Sequence, residues 1–179
     1  MPELRATLAF LVLACPVLAC LALIGCTQSS APQITSGYRT GAAPIYSTAA
    51  LPIARMLGTW RQVAGFGASA PCTSAPTLQI AAQGGSATAR YDLCFGPNRR
   101  MGAGPLASGG AQGRYRLPSL DAPLWVLWID EGNRSAALGT PDGAFGMIVS
   151  KDPISKDRMR AATEVLAWNG YDLTQFHQY

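Results

Sequence analysis

A chain of 179 residues is sized for one domain whose core needs no staples. Its formal net charge of +4 comes without a basic run or aromatic–basic interleaving, which argues against a nucleic-acid surface. The single histidine, His177, sits near the C-terminal end, and the sequence has no paired carboxylates, metal-ligand spacing or nucleophile elbow, so it reads as a non-enzyme without cofactor or metal.

Residues 6–25 are almost wholly apolar behind Arg5. Such a stretch is a signal-peptide core or a membrane-spanning helix. It ends in Leu23-Ile24-Gly25-Cys26, which resembles a bacterial lipobox: a branched residue, a small pair, then cysteine. The resemblance implies that residues 1–25 are cleaved and that the Cys26 thiol accepts a diacylglycerol. Val17-Leu18-Ala19-Cys20 is a poorer version of the same pattern, and an uncleaved anchor is the alternative. Thr27, where an aspartate would signal inner-membrane retention in similar lipoproteins, implies an outer-membrane protein facing the periplasm.

Five cysteines are present. Cys15 and Cys20 leave with the signal and Cys26 takes lipid. Cys72 and Cys94 remain as an even pair in an oxidising compartment, where a disulfide is the expected state, with a contribution on the order of 3 kcal/mol. Metal binding or redox exchange by two distant cysteines without a nearby histidine is disfavoured.

Residues 26–52 are rich in Ser, Thr, Ala, Gly and Pro and read as a flexible lipidated tether, with the folded domain over 53–179. Residues 57–66 alternate as a strand, with Trp60, Gln62, Ala64 and Phe66 on one face. A loop over 67–76 leads to short strands predicted at 77–82 and 87–95, the second with Ala89, Tyr91, Leu93 and Phe95 on one face. The glycine-rich stretch 96–113 reads as a mobile connection, and a brief strand follows at 114–117. Residues 124–130 are apolar on both faces and need cover on both. With strands at 134–140 and 144–151 they form an antiparallel meander. A helix is predicted over 155–169, capped by Ser155, with Arg160 and Glu164 placed to pair. Asn169-Gly170 ends it, and 173–179 reads as a short closing strand.

Gly58-x-Trp60 opens the first strand. Far downstream come Asp130, Arg134, Gly139-Thr140-Pro141-Asp142, Phe145, Pro153 and Gly170-Tyr171-Asp172, in that order. Behind a lipobox, this combination resembles the bacterial lipocalins. The resemblance covers both ends of the mature domain and little of its middle. It implies an all-β domain with one C-terminal helix, an antiparallel up-and-down barrel whose motif tryptophan plugs the closed end. A basic residue of the family lies against that tryptophan, which implies a contact of Lys151 with Trp60. Two departures are evident: Asn133 stands where the family commonly has tyrosine, and only one short strand is visible between Phe95 and Leu124 where the family has two. A shortened or incompletely closed barrel is therefore expected.

An eight-stranded barrel is wide enough for one small ligand. The candidate wall residues are Phe66, Tyr91, Leu93, Tyr115, Trp125 and Leu127, with Gln62 and Tyr115 placed to orient a head group. The expected function is a membrane-anchored lipocalin holding a fatty acid or lysophospholipid in the cell envelope. The alternative is a structural envelope lipoprotein with a filled barrel and no ligand.

Overall fold

The structure, a computed structural model, describes residues 37–41, 43–48, 51–67, 75–120 and 123–179. Among these residues the strands are β1 (Gly58–Phe66), β2 (Thr77–Gln83), β3 (Ser86–Phe95), β4 (Asn98–Pro105), β5 (Ala107–Ser108), β6 (Arg114–Arg116), β7 (Pro123–Ile129), β8 (Ser135–Gly139), β9 (Gly146–Ser150) and β10 (Phe176–Gln178), with one α-helix, α1 (Lys156–Trp168), before the last. Neighbouring strands follow the order β4-β3-β2-β1-β9-β8-β7-β6-β5, and β10 adds to β1. All the pairings are antiparallel.

The two ends of that order, β4 and β5, are separated in the chain by Leu106 alone. They are two halves of one bent strand. The first half pairs with β3 and the second with β6, so continuity of the chain brings the ends of the sheet together. The stretch 96–113, expected as a mobile connection, therefore holds a strand of eight residues. Between Phe95 and Leu124 lie this bent strand and β6, two strands where the sequence pattern showed one. The result is an antiparallel, nearly closed barrel with one C-terminal helix.

The side chains make two apolar layers. Trp60, Leu78, Leu93, Val126, Leu138, Met147 and Val149 fill the barrel. Ala64, Phe66, Leu127, Ala137 and Ile148 face outward and pack against Ala162 and Leu166 of α1. All five residues of β8 and of β9 are buried because these strands are covered on both faces. Ser155 caps α1, its hydroxyl accepting from the Arg158 N–H. Arg160 pairs with Asp157 rather than Glu164, at 3.2 Å.

Two β-bulges redirect the alternation. In β1 the register shifts between Gln62 and Ala64, and in β7 between Val126 and Trp128. Each bulge turns two consecutive residues outward: Val63 with Ala64, and Leu127 with Trp128. Trp60, Gln62, Ala64 and Phe66 consequently do not share a face. The last two cross to the helix side.

The segment expected as a tether to residue 52 is packed on the barrel from Gly37 onward. Tyr38 donates its N–H to Gly143 at 2.7 Å, and Arg39 forms an isolated bridge with Tyr171. The Arg39 guanidinium is buried, donating to the carbonyls of Asn169 at 2.8 Å and Pro141 at 2.6 Å and to that of Ala43. Leu51 and Met56 join the inner core, the latter in a 3-10 turn (Ile53–Met56). Residues 1–36, with the lipobox and Cys26, lie outside the described residues.

Candidate functional site

The floor of the barrel is built around Trp60, which is fully buried. Its indole N–H donates to the Met56 carbonyl at 2.8 Å. The Lys151 ammonium stands 4.5 Å from the centre of the ring. Gly58 has φ +116, a conformation that suits glycine, and the Lys151 stem passes beside it. Removal from water pushes the Lys151 amine below the ordinary lysine range, while Asp130 and then Asp152 oppose that shift. Asp130 also accepts from the N–H groups of Arg134 at 2.6 Å and Ser135 at 3.0 Å, fixing the turn that follows β7. Asn133 occupies the left-handed position of that turn, φ 53, and accepts from Arg55.

Above the floor, Gln62 points into the barrel and is 1% exposed. Its amide closes a two-way pair with the Cys94 backbone: Nε2 donates to the carbonyl at 3.0 Å, and the Cys94 N–H donates to Oε1 at 2.9 Å. β1 and β3 are not hydrogen-bonded neighbours, so this side chain supplies the partners a ladder would otherwise supply. Cys94 itself is buried and disulfide-bonded, and Cys72 lies outside the described residues.

The remaining candidates divide. Tyr91, Leu93 and Tyr115 belong to the inner core, with the two phenols tied to backbone carbonyls: Tyr91 to Pro118 at 2.7 Å and Tyr115 to Leu51 at 3.3 Å. The Tyr91 ring lies over Gly102 on β4, where a Cβ would stand only 2.6 Å from it. Burial raises both phenol pKa values above the ordinary range. Phe66, Trp125 and Leu127 do not face the interior. The bulges and the two-sided cover of β7 place them outside. Phe66 packs among Tyr38, Tyr171 and Phe176, and Trp125 lies under the Arg114 guanidinium at 3.8 Å. Neither Gln62 nor Tyr115 presents a head-group contact, because the backbone occupies both. His177 stands on β10 opposite Gly65.

What the sequence left unmarked is at the mouth. A cleft of about 320 Å³ opens between the β3–β4 turn, the loop after β6 and the loop before β9. Phe95 and Phe145 form its floor in an edge-to-face pair 4.5 Å apart. Asn98, Arg100, Ser119 and Leu120 line its rim. Arg100 pairs across the ladder with Leu93 and Asn98 with Phe95, so both polar residues stand on the barrel-facing side of β4. Arg100 has no ion-pair partner among the described residues. Ser119 holds φ 60, an uncommon conformation for serine, which marks the rim loop as locally strained. An aromatic floor beneath a cation and an amide suits a small molecule with an apolar body and an anionic or polar end.

No family model and no curated protein matches the sequence. The structural similarities are clear. Insecticyanin from the tobacco hornworm Manduca sexta superposes with a TM-score of 0.56 at 17% identity, over 79% of this chain and 85% of that one. The cockroach allergen Per a 4 gives 0.56 at 14% identity, over 76% and 92%. The siderocalin Ex-FABP gives 0.50 at 13%, over 69% and 89%. At these identities the likeness is one of fold, and the fold is that of the lipocalins.

Proposed function

We propose that this protein is a binding protein of the cell envelope that takes a small anionic amphiphile, of the fatty acid or lysophospholipid class, at the mouth of its barrel. One observation carries the reading: Arg100, on the barrel-facing side of β4, overlooks a cleft floored by Phe95 and Phe145. At about 320 Å³ the cleft is at the small end of the range for ligand pockets. Ex-FABP, of the same fold, is described as functioning through dual ligand specificities. The filled interior beneath the cleft supports the second reading, a structural lipoprotein without ligand, and it limits any ligand to a short apolar body or to one whose tail stays outside. In this proposal Cys26 carries the lipid anchor in the outer membrane, and Cys72 is the disulfide partner of Cys94.

The test is displacement of a fluorescent fatty acid by saturated acids of increasing chain length. Binding should be weakened ten- to a hundredfold by Arg100→Gln, as loss of a charge-assisted hydrogen bond of about 1.5–3 kcal/mol requires. Phe145→Ala should weaken it as well. Probe that is never bound, or bound equally by all three proteins, leaves the structural reading. For the anchor, intact mass should show acyl chains on the wild type and unprocessed or soluble Cys26→Ala.

A further inference from the structure

β4 is hydrogen-bonded along one edge. Its neighbour there is β3, and the register runs from Asn98 opposite Phe95 to Pro105 opposite Thr88 without a shift. The bend at Leu106 takes the chain on to β6, so among the described residues no strand lies along the other edge of β4. The ladder itself tells which groups that edge holds. Leu106 continues the register opposite Ala87 and donates its N–H to the Ala87 carbonyl at 2.9 Å. Opposed residues of an antiparallel pair alternate between bonded and non-bonded. Asn98, Arg100, Gly102 and Gly104 therefore direct their N–H and C=O groups at β3, and Arg99, Met101 and Ala103 direct theirs away from it. Among the described residues no other element bonds the N–H or C=O of these three.

This edge is open to solvent. Six of the eight residues of β4 are exposed, and Met101 is 72% exposed. A straight, unpaired edge is a template for another strand. No bulge interrupts it, and proline stands only at its two ends, as Pro97 and Pro105. The Arg99 guanidinium is held by Asp92 of its own chain.

The residues along the edge decide what that strand is. Two copies of β4 can run antiparallel about a two-fold axis at Met101. Arg99 then stands opposite Ala103 of the second copy, Arg100 opposite Gly102, and Asn98 opposite Gly104. Each large side chain meets a small one, and no two cations are directly opposed. Met101 meets its own copy, and Pro97 meets Pro105 just beyond the ladder. The outward N–H and C=O groups of Arg99, Met101 and Ala103 satisfy one another in this register. We propose that two copies of this chain associate through β4, edge to edge and antiparallel, into one continuous sheet with an isologous contact. Asn98–Gly104 on each side is far fewer than the ~20–30 residues of a standard interface, so the dimer is weak and concentration-dependent.

The test uses the full chain in detergent. Opposed residues of an antiparallel ladder stand about 5.5 Å apart at Cα, within disulfide reach. Met101→Cys should give a 101–101 crosslinked peptide under mild oxidation, recovered by non-reducing peptide mapping. Ala103→Cys should link to Arg99→Cys when the two proteins are mixed, and not to itself. The exposed control Gln79→Cys should not link to itself. Sedimentation velocity should show a dimer that grows with concentration. Met101→Pro removes an N–H that β3 does not use, and should leave a monomer with an unchanged circular dichroism spectrum. Ala103→Arg, a surface change, sets a cation opposite Arg99 twice over in the dimer and should weaken it about tenfold. A wild type that stays monomeric at every concentration, with no 101–101 peptide from Met101→Cys, overturns the proposal. A dimer that keeps its affinity in both variants places the contact elsewhere and overturns it as well. A different polypeptide recovered on Met101→Cys by the same crosslink, with no 101–101 product, overturns the second copy as occupant.

Discussion

The ammonium of Lys151 lies 4.5 Å from the centre of the Trp60 ring, and the two residues close the floor of the barrel from opposite sides of the β1–β9 ladder. The ring is fully buried, so its contribution is mostly apolar area and packing. Trp60→Ala should cost about 3–5 kcal/mol. Lys151 is exposed, and its cation over the indole is worth about 0.5–1 kcal/mol. Lys151→Ala should cost about that much, and Lys151→Arg should hold or raise stability because a guanidinium stacks on the ring. Urea unfolding of the two single variants and the double variant measures the coupling. Additive losses would show that the ring and the amine do not interact.

Gln62 substitutes for a stretch of ladder, and its removal should be costly for a different reason. In Gln62→Leu the Cys94 N–H and carbonyl lose both partners inside an apolar barrel. Each buried unpaired group costs about 1–3 kcal/mol. Gln62→Leu should therefore destabilise by several kcal/mol although it adds apolar surface, whereas substitution of the exposed Gln79 should change little. A Gln62→Leu protein as stable as the wild type in urea would mean that water replaces the amide.

The termini of the domain were legible because their cues are local and chemical. Gly-x-Trp, the Thr140-Pro141-Asp142-Gly143 turn, the Ser155 cap and the Gly170 stop each use a residue type that few others replace. β4 was not legible. Asn98, Arg100, Gly102 and Gly104 occupy its barrel-facing positions, so it lacks the apolar alternation that marks a strand, and the Tyr91 ring fills the space over Gly102. The bulges were hidden by apolar residues on both sides. Val63 and Ala64, or Leu127 and Trp128, read equally well facing in or out, and only the position of α1 decides. That is why Phe66, Trp125 and Leu127 looked like cavity walls. The mouth cleft has no local signature in the sequence because its residues come from separate turns.

Tyr171 gives a pH signature. Its hydroxyl is buried, accepts from the Thr140 N–H at 2.9 Å, and sits beside the Thr140 and Phe145 carbonyls. Burial above all raises its pKa to about 12, with hydrogen bonds to Thr140 partly opposing the rise. The unfolded phenol ionises near 10. The folded state resists ionisation, so this stabilisation is fully present below pH 10 and is lost as pH rises from about 10 to about 12. Denaturation midpoints should fall steeply across that window. Tyr171→Phe should be less stable near neutral pH and show a shallower decline. Parallel curves for the two proteins would assign the alkaline loss to other groups.

Arg39 tests whether the segment before the barrel is part of the fold. Its guanidinium joins three carbonyls, of Asn169, Pro141 and Ala43, that belong to the helix end, the turn before β9 and its own segment. Arginine suits this place because its fixed fork reaches several acceptors at once. The three donors of a lysine radiate from one nitrogen and do not span the spread that Nε, Nη1 and Nη2 cover here. Arg39→Lys should therefore cost nearly as much stability as Arg39→Met, and each change should loosen residues 37–48 more than the barrel. Hydrogen exchange should show faster exchange at Thr40, whose N–H bonds Gly170, and at Thr48, whose N–H bonds Val126, with the β8–β9 ladder unchanged. If the segment is instead an independent tether, neither substitution will alter exchange at Thr40 or Thr48, and both amides will exchange rapidly in the wild type.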